Sequence, residues 1–472
     1  MNLKGTILIA LMAFVFELSA QNLQCYQWRP LVPGLYCVDS TNNGSIASCA
    51  VGNFALDTMR DCIWIKGAFE GGDTVLSKDI IGYNGHDFLP FNYPIEDTVF
   101  TRKTAYDMLV YHGDLIMCLQ YEVVKYNFIS QQFYTIGSIP LNPGDGLECL
   151  SIFNDELYVG GDFPAIKDTF GNWTLAFNIA RWDGNNWHTV GQQGINSTAS
   201  SVVFAMETYN DKLYVGGSFE FADTIDAWNI ASWDGNTWAC LCDDSLYKGT
   251  NMVSGNHLAA YVFDMEVFQN NLYVTGQYDS ICNIKTKLAY TSGTGWVGST
   301  FPYSFNHELK TFENHLIIYT YNLSGESNIQ YWENNQASQV DTGFIDGYAT
   351  FINFHDTMYA GGAFDHSGNT SVFRLAKLVF DSSLIYDGLN QLTMHNAQLI
   401  IYPNPANETV TITADNIKEI IVTNLLGEVV QSSKFKVQRP SATIDIGKLP
   451  QGIYLLRVQT NNGWQVGKLV KE

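Results

Sequence analysis

The chain has 472 residues, 14% of them aromatic, with only 12 prolines and a formal charge of −22. That length allows a large core and a second domain, and the aromatic content argues against a disordered chain. The acidity argues against nucleic acid as a partner, since such a surface repels phosphate backbones.

Residues 1–20 have the layout of a secretory signal peptide: Lys4, an apolar run from Ile7 to Phe16, and Leu18-Ser19-Ala20 before a mature start at Gln21. Ten apolar residues are too few to span a bilayer, and no other stretch approaches eighteen, so no transmembrane segment is expected in the mature chain. Removing the leader leaves the charge unchanged, and residues 399–472 carry eight basic against six acidic groups, which places −24 on residues 21–398. Nine cysteines, at 25, 37, 49, 62, 118, 149, 240, 242 and 282, remain in the mature chain. The odd count leaves at least one thiol unpaired and the connectivity open. Cys240-Leu241-Cys242 lacks the spacer of a zinc knuckle, and strand alternation puts both cysteines on one buried face.

Residues 21–380 are organised by a repeat. Leu157-Tyr158-Val159-Gly160-Gly161-Asp162-Phe163 returns as Leu213-Tyr214-Val215-Gly216-Gly217-Ser218-Phe219. Each copy leads into Asn-Ile-Ala-x-Trp-Asp-Gly-Asn-x-Trp, at Asn178 to Trp187 and Asn229 to Trp238. Seven anchor strands can be found, beginning at Ile63, Leu115, Leu157, Leu213, Leu272, Leu316 and Met358, with separations of 52, 42, 56, 59, 44 and 42 residues. Short strands and tight turns recurring at this period predict a seven-bladed β-propeller, or a six-bladed one if a degenerate copy is discounted. The second and sixth copies have Leu119 and Tyr319 or Thr320 in place of the glycines. Trp182, Trp187, Trp233 and Trp238 recur at fixed positions and read as inter-blade packing, and Asp183 and Asp234 as turn formers. The seventh copy lacks an outer strand, so residues 26–32, around Trp28, are expected to pair with residues 372–379 and close the ring. Over roughly residues 28–380 the repeat resembles the kelch-like and galactose-oxidase-like propeller repeats of secreted bacterial proteins. The resemblance implies a binding or scaffolding platform and brings no catalytic set.

Residues 381–398 read as a linker, and residues 399–472 as a small immunoglobulin-like β-sandwich. Its strands are expected at Thr409–Thr413, Glu419–Thr423, Glu428–Ser432, Ala442–Ile446, Ile453–Gln459 and Gln465–Val470. Tyr402-Pro403-Asn404-Pro405, Asn424-Leu425-Leu426-Gly427-Glu428, Leu449-Pro450-x-Gly452-x-Tyr454 and Gly467-Lys468-Leu469-Val470 follow in order. In these residues the segment resembles the C-terminal sorting domain of the Bacteroidetes type IX secretion system. The resemblance implies a cargo tag whose partner is the type IX machinery. It implies a protein that crosses the periplasm and ends secreted or on the outer-membrane surface, with Tyr402, Pro403, Asn404, Pro405, Gly427, Gly452, Tyr454 and Lys468 as the motif.

No His-Glu-x-x-His, Gly-x-Ser-x-Gly or P-loop pattern occurs. The sequence therefore names no catalytic residue, cofactor or metal. The expected role is a secreted or cell-surface binding scaffold for an extracellular glycan or protein. A hydrolase or lyase acting on extracellular polysaccharide or peptide is the alternative, and a structural component of the cell surface a third. An enzyme should converge titratable residues at one end of a central channel; a binding module should show exposed aromatics on variable loops, such as 163–178, 219–229 and 242–261.

Overall fold

The computed structural model describes residues 26–31, 34–36, 50–91, 105–198, 200–242, 250–251, 260–293, 295–299, 306–321, 327–333, 336–340, 344–345, 348–368, 370–380, 399–424, 429–460 and 463–471. The leader, the linker 381–398, Cys25, Cys37, Cys49, Gly427 and most of 242–261 lie outside these. The described residues are all-β with no helix, so none contains a helix long and apolar enough to cross a membrane. Tyr26–Val379 forms one compact unit, and the chain from Phe380 onward belongs to a second.

In the first unit each anchor is the second strand of an antiparallel sheet: Cys62–Ala68, Asp114–Leu119, Glu156–Asp162, Lys212–Ser218, Asn271–Gln277, His315–Tyr321 and Thr357–Gly362. The third sheet shows the logic, with Gly146–Phe153, Glu156–Asp162, Ile179–Trp182 and Trp187–Thr189 paired in chain order. The anchor is buried because it is covered on both faces. Leu157 and Val159 pack with Ile116 and Val123 of the preceding sheet, while Tyr158 packs with Val203 and Leu213 of the following one. Alternation along a strand sends successive side chains to opposite faces, so one anchor serves two cores.

The anchor's glycines are set by this packing. A Cβ at Gly160 would stand 2.6 Å from Val203 of the next sheet, and one at Gly161 would stand 2.1 Å from the Gly146 carbonyl oxygen. Gly361 repeats the arrangement with Val51, at 2.3 Å, and so brings the last sheet against the first. The first strands of successive sheets are also neighbours, and Ala349–Phe354 of the last lies beside Ala50–Asp57 of the first.

The sheets interlock through short hairpins that the sequence reading treated as loops. The chain entering the fourth sheet forms Ile195–Asn196, which pairs with the hairpin Phe221–Ala222 and Ile225–Asp226 set between that sheet's second and third strands. Equivalent triplets are built on Leu35–Tyr36, Thr250–Asn251 and Phe344–Ile345. In the third sheet the hairpin Ala165–Lys167 and Trp173–Leu175 instead extends the second sheet through Gln132–Ser138. Loops 163–178 and 219–229 are thus partly packing elements.

The N-terminal strand Tyr26–Pro30 lies beside Leu375–Phe380 as the last member of the seventh sheet, the pairing expected from the missing outer strand. Trp28 is fully buried, its ring centroid 5.0 Å from Phe344 and 5.8 Å from Phe351. The strand Trp238–Cys240 ends before Cys242, so the two cysteines do not share a strand face; Cys242 is disulfide-bonded to Cys282, and Cys240 remains a thiol.

The second unit has Ile400–Tyr402, Thr409–Thr423, Val429–Asp445, Gly452–Thr460 and Gly463–Lys471. Expected strand pairs are merged. Thr409–Thr413 and Glu419–Thr423 are the two ends of one strand, because register shifts between Thr413 and Glu419 absorb the bend without ending the ladder. Val410, Ile412, Ile420, Val422, Tyr454, Leu456, Val458 and Leu469 form its core.

Candidate functional site

The sorting-motif residues meet along the final strand. Asn404 donates from Nδ2 to the Lys468 carbonyl oxygen at 2.7 Å and accepts at Oδ1 from the Val470 N–H at 2.8 Å. It therefore acts as one more ladder rung between the start and end of the domain. Both bonds Tyr402–Pro403 and Asn404–Pro405 are cis, and Tyr402 is 73% exposed. Tyr454 is buried, pairs with Leu469 and donates its hydroxyl to the Pro450 carbonyl oxygen at 2.8 Å. Lys468 is exposed and opposite Leu455, and Gly452 opens the adjacent strand opposite Lys471. Gly427 lies outside the described residues.

The repeated tryptophans join neighbouring sheets. Trp187 Nε1 donates to the Ile136 carbonyl oxygen at 2.7 Å, Trp238 Nε1 to that of Val190 at 3.1 Å, and Trp296 Nε1 to that of Leu241 at 3.3 Å. Asp183 and Asp234 each accept two backbone N–H bonds within their own turn. The asparagine opening Asn-Ile-Ala is a lock: Asn178 accepts from Phe163 N–H at 2.8 Å and donates to the Ile195 carbonyl oxygen at 2.9 Å and to Ser201 Oγ at 2.6 Å.

A cavity of about 340 Å³ lies among the first strands of sheets two to six, lined by Asp107, Glu207, Asp264, Glu266, Glu308 and Lys310 among others. Register shifts in these strands precede Asp107, Asp264 and Glu308 by one residue. Each of the three then accepts a backbone N–H from the next sheet: Leu150 at 2.8 Å, Leu309 at 2.6 Å and Phe351 at 3.0 Å. Glu266 does the same with Thr311 at 2.8 Å. These carboxylates staple one sheet to the next, and Glu207 makes no such bridge among the described residues. Burial pushes Asp107 up to about 6, Asp264 to about 7, and Glu207 and Glu308 to about 8. Burial alone would lower Lys310, but Glu266, Glu308, Asp264 and Glu207 outweigh it and hold the ammonium's pKa raised. No group of three or more His, Cys, Asp or Glu among the described residues has metal-holding geometry.

Sequence reasoning missed this cluster. Its signal was charged residues at alternate positions, Asp264-x-Glu266 and Glu308-x-Lys310, in the stretches just ahead of the fifth and sixth anchors.

Two exposed aromatics lie on the third sheet's hairpin. Phe170 is 84% and Trp173 52% exposed, with Lys167 Nζ 5.3 Å from the Trp173 ring centroid.

A family model described as a secretion system C-terminal sorting domain matches residues 400–472. No curated protein matches the chain. Among solved structures, the extracellular domain of a one-component system from B. thetaiotaomicron is 11% identical, with a TM-score of 0.43, over 94% of this chain and 58% of that one. The extracellular domain of a hybrid two-component system from the same organism is 10% identical, with a TM-score of 0.39, over 93% and 57%. The computationally designed Ika8 protein is 11% identical, with a TM-score of 0.41, over 74% and 99%. The chain thus spans less than two thirds of the length of both bacterial structures, and likenesses this weak place no constraint on function.

Proposed function

On the premise that its C-terminal sorting domain exports this protein through type IX secretion to the cell surface or the medium, we infer that residues 21–380 are a seven-bladed β-propeller serving as an extracellular binding scaffold. Residues 399–472 act as an immunoglobulin-like cargo tag, recognised through Tyr402, Pro403, Asn404, Pro405, Gly427, Gly452, Tyr454 and Lys468. The ligand is an extracellular glycan or protein. The observation that carries the binding role is the exposure of Phe170 and Trp173 on a hairpin whose counterparts in the other sheets are shorter. A repeated residue serves the fold, whereas Phe170, Trp173 and Leu175 are exposed together on one hairpin outside the repeat, and clustered exposed apolar side chains mark interaction surfaces. Saturable adsorption of the purified, tag-bearing protein to cell-surface material, without turnover, is the expected result.

A hydrolase is the second reading, because titratable groups do converge in the first-strand cavity. Glu207, with its pKa near 8, has the protonation needed of a general acid at neutral pH. Release of soluble products from polysaccharide or peptide substrates, abolished in Glu207→Gln, would replace the binding role with this one.

A further inference from the structure

We propose that the cavity among the first strands holds a basic α-amino acid, its α-carboxylate on Lys310 and its α-ammonium on Glu207. This place is separate from the exposed hairpin, so the assignment goes beyond the scaffold reading and does not depend on it.

Three adjacent first strands bring the polar groups to one level. Glu207 of Val202–Tyr209, Glu266 of Tyr261–Phe268 and Lys310 of Asn306–Phe312 each lie opposite the second residue of their own anchor, Tyr214, Tyr273 and Ile317. Two residues earlier the same strands carry Ala205, Asp264 and Glu308. A period of two sends both levels to one face, and all six residues line the cavity.

The fold uses these groups unequally. Asp264, Glu266 and Glu308 are held by the backbone N–H bonds that staple one sheet to the next. Glu207 makes no such bridge among the described residues, and the residue two before it is alanine where the fifth and sixth sheets have a stapling carboxylate. Lys310 is the one cation in the lining, yet among the described residues its ammonium forms no ion pair or hydrogen bond with any of the carboxylates. Glu207 and Lys310 are both partly exposed, so a ligand reaches them from solvent. An acid and an ammonium that share a cavity without closing on each other leave both signs available. A ligand carrying both signs satisfies the two at once, through charge-assisted hydrogen bonds.

The remaining lining sets the kind of amino acid. Five carboxyl groups, Asp107 and four from sheets four to six, face one ammonium, so a second positive charge on the ligand is favoured and a second negative one is repelled. Phe204 and Phe263, with ring centroids 5.5 Å apart, offer an apolar wall to the methylenes of a lysine or arginine side chain. The volume of about 340 Å³ lies at the small end of the roughly 300–1,000 Å³ of ligand pockets, which suits one amino acid and not a polymer.

The test is calorimetry on the full mature chain at about 0.15 M ionic strength, with L-lysine, L-arginine, cadaverine and L-glutamate as probes. Lysine or arginine should bind, cadaverine, which lacks the carboxylate, should bind at least tenfold more weakly, and glutamate should give no signal. Glu207→Gln should weaken the basic amino acid at least tenfold, and Lys310→Met should erase its advantage over cadaverine. Glu207→Gln removes a charge without changing volume and breaks no staple, so its result stands even if Lys310→Met fails to fold. Absence of binding by both basic amino acids, equal affinity for lysine and cadaverine in the wild type, or wild-type affinity in Glu207→Gln overturns the assignment. None of these three results touches the scaffold reading, which falls only if adsorption to cell-surface material is absent. Cleavage of a lysine-containing peptide, lost in Glu207→Gln, would overturn the assignment in favour of the hydrolase.

Discussion

Asn178 holds a left-handed backbone, φ 62°, together with three side-chain hydrogen bonds, and Asn229 repeats it at φ 73°. Few residues tolerate that conformation, and fewer also offer a donor and an acceptor at that reach. Asn178→Ala should therefore cost about 2–3 kcal/mol, measured by denaturant unfolding, from orphaned buried partners and backbone strain. The cavity carboxylates make a second prediction, in pH. Their folded pKa values are raised, by burial first, so the stability they allow is complete below the ordinary carboxylate range and is lost as pH climbs through about 6 to 8. One lysine, Lys310, faces Asp107, Glu207, Asp264, Glu266 and Glu308 in that cavity. The melting temperature should fall by several degrees between about pH 5.5 and pH 8.5, and Glu207→Gln should flatten the decline. A flat wild-type profile would mean that the cavity admits enough water to neutralise the effect.

At the scale of elements, what could be read in advance was what repeats. The seven anchors, the paired tryptophans and the Asp-Gly-Asn turns are long or distinctive enough to survive loop variation. Even the degenerate copies form their strands, Asp114–Leu119 and His315–Tyr321, with Leu119 and Thr320 in place of glycine. The interlocking hairpins were illegible because strands of two residues, such as Ile225–Asp226, carry no period. The cavity was illegible for another reason: its carboxylates converge only because a register shift turns each first strand, and spacing in sequence does not encode that. The closing strand could be anticipated, since one copy lacked an edge and another segment had an edge to spare. Removing residues 21–31 should therefore lower stability by several kcal/mol, and Trp28→Ala alone by about 3–5 kcal/mol, because the indole is fully buried against Phe344 and Phe351. Thermal melts of the two variants against the mature chain decide it.

At the scale of the whole molecule, the two units have separate cores, and the sorting motif lies wholly within the second. Deleting Ala397 to Glu472 should abolish appearance at the surface or in the medium of a type IX-competent host, while the remainder keeps its melting temperature. Fractionation of cells producing the truncated chain measures the first part, and calorimetry of the periplasmic product the second.

The edge strand Tyr26–Pro30 also sets a timetable. It is the earliest described strand to leave the ribosome, yet the strand beside it, Leu375–Phe380, is among the last of its unit. More than 340 residues must be synthesised before the two can meet. Until then the seventh sheet has no outer member and Trp28 has no pocket, so the unit stays unlatched through most of its synthesis. Contacts this distant in sequence form slowly because loop closure must come first. A circular permutant that moves residues 26–31 to follow residue 380 should reach the same fold with the latch made local, and should refold faster.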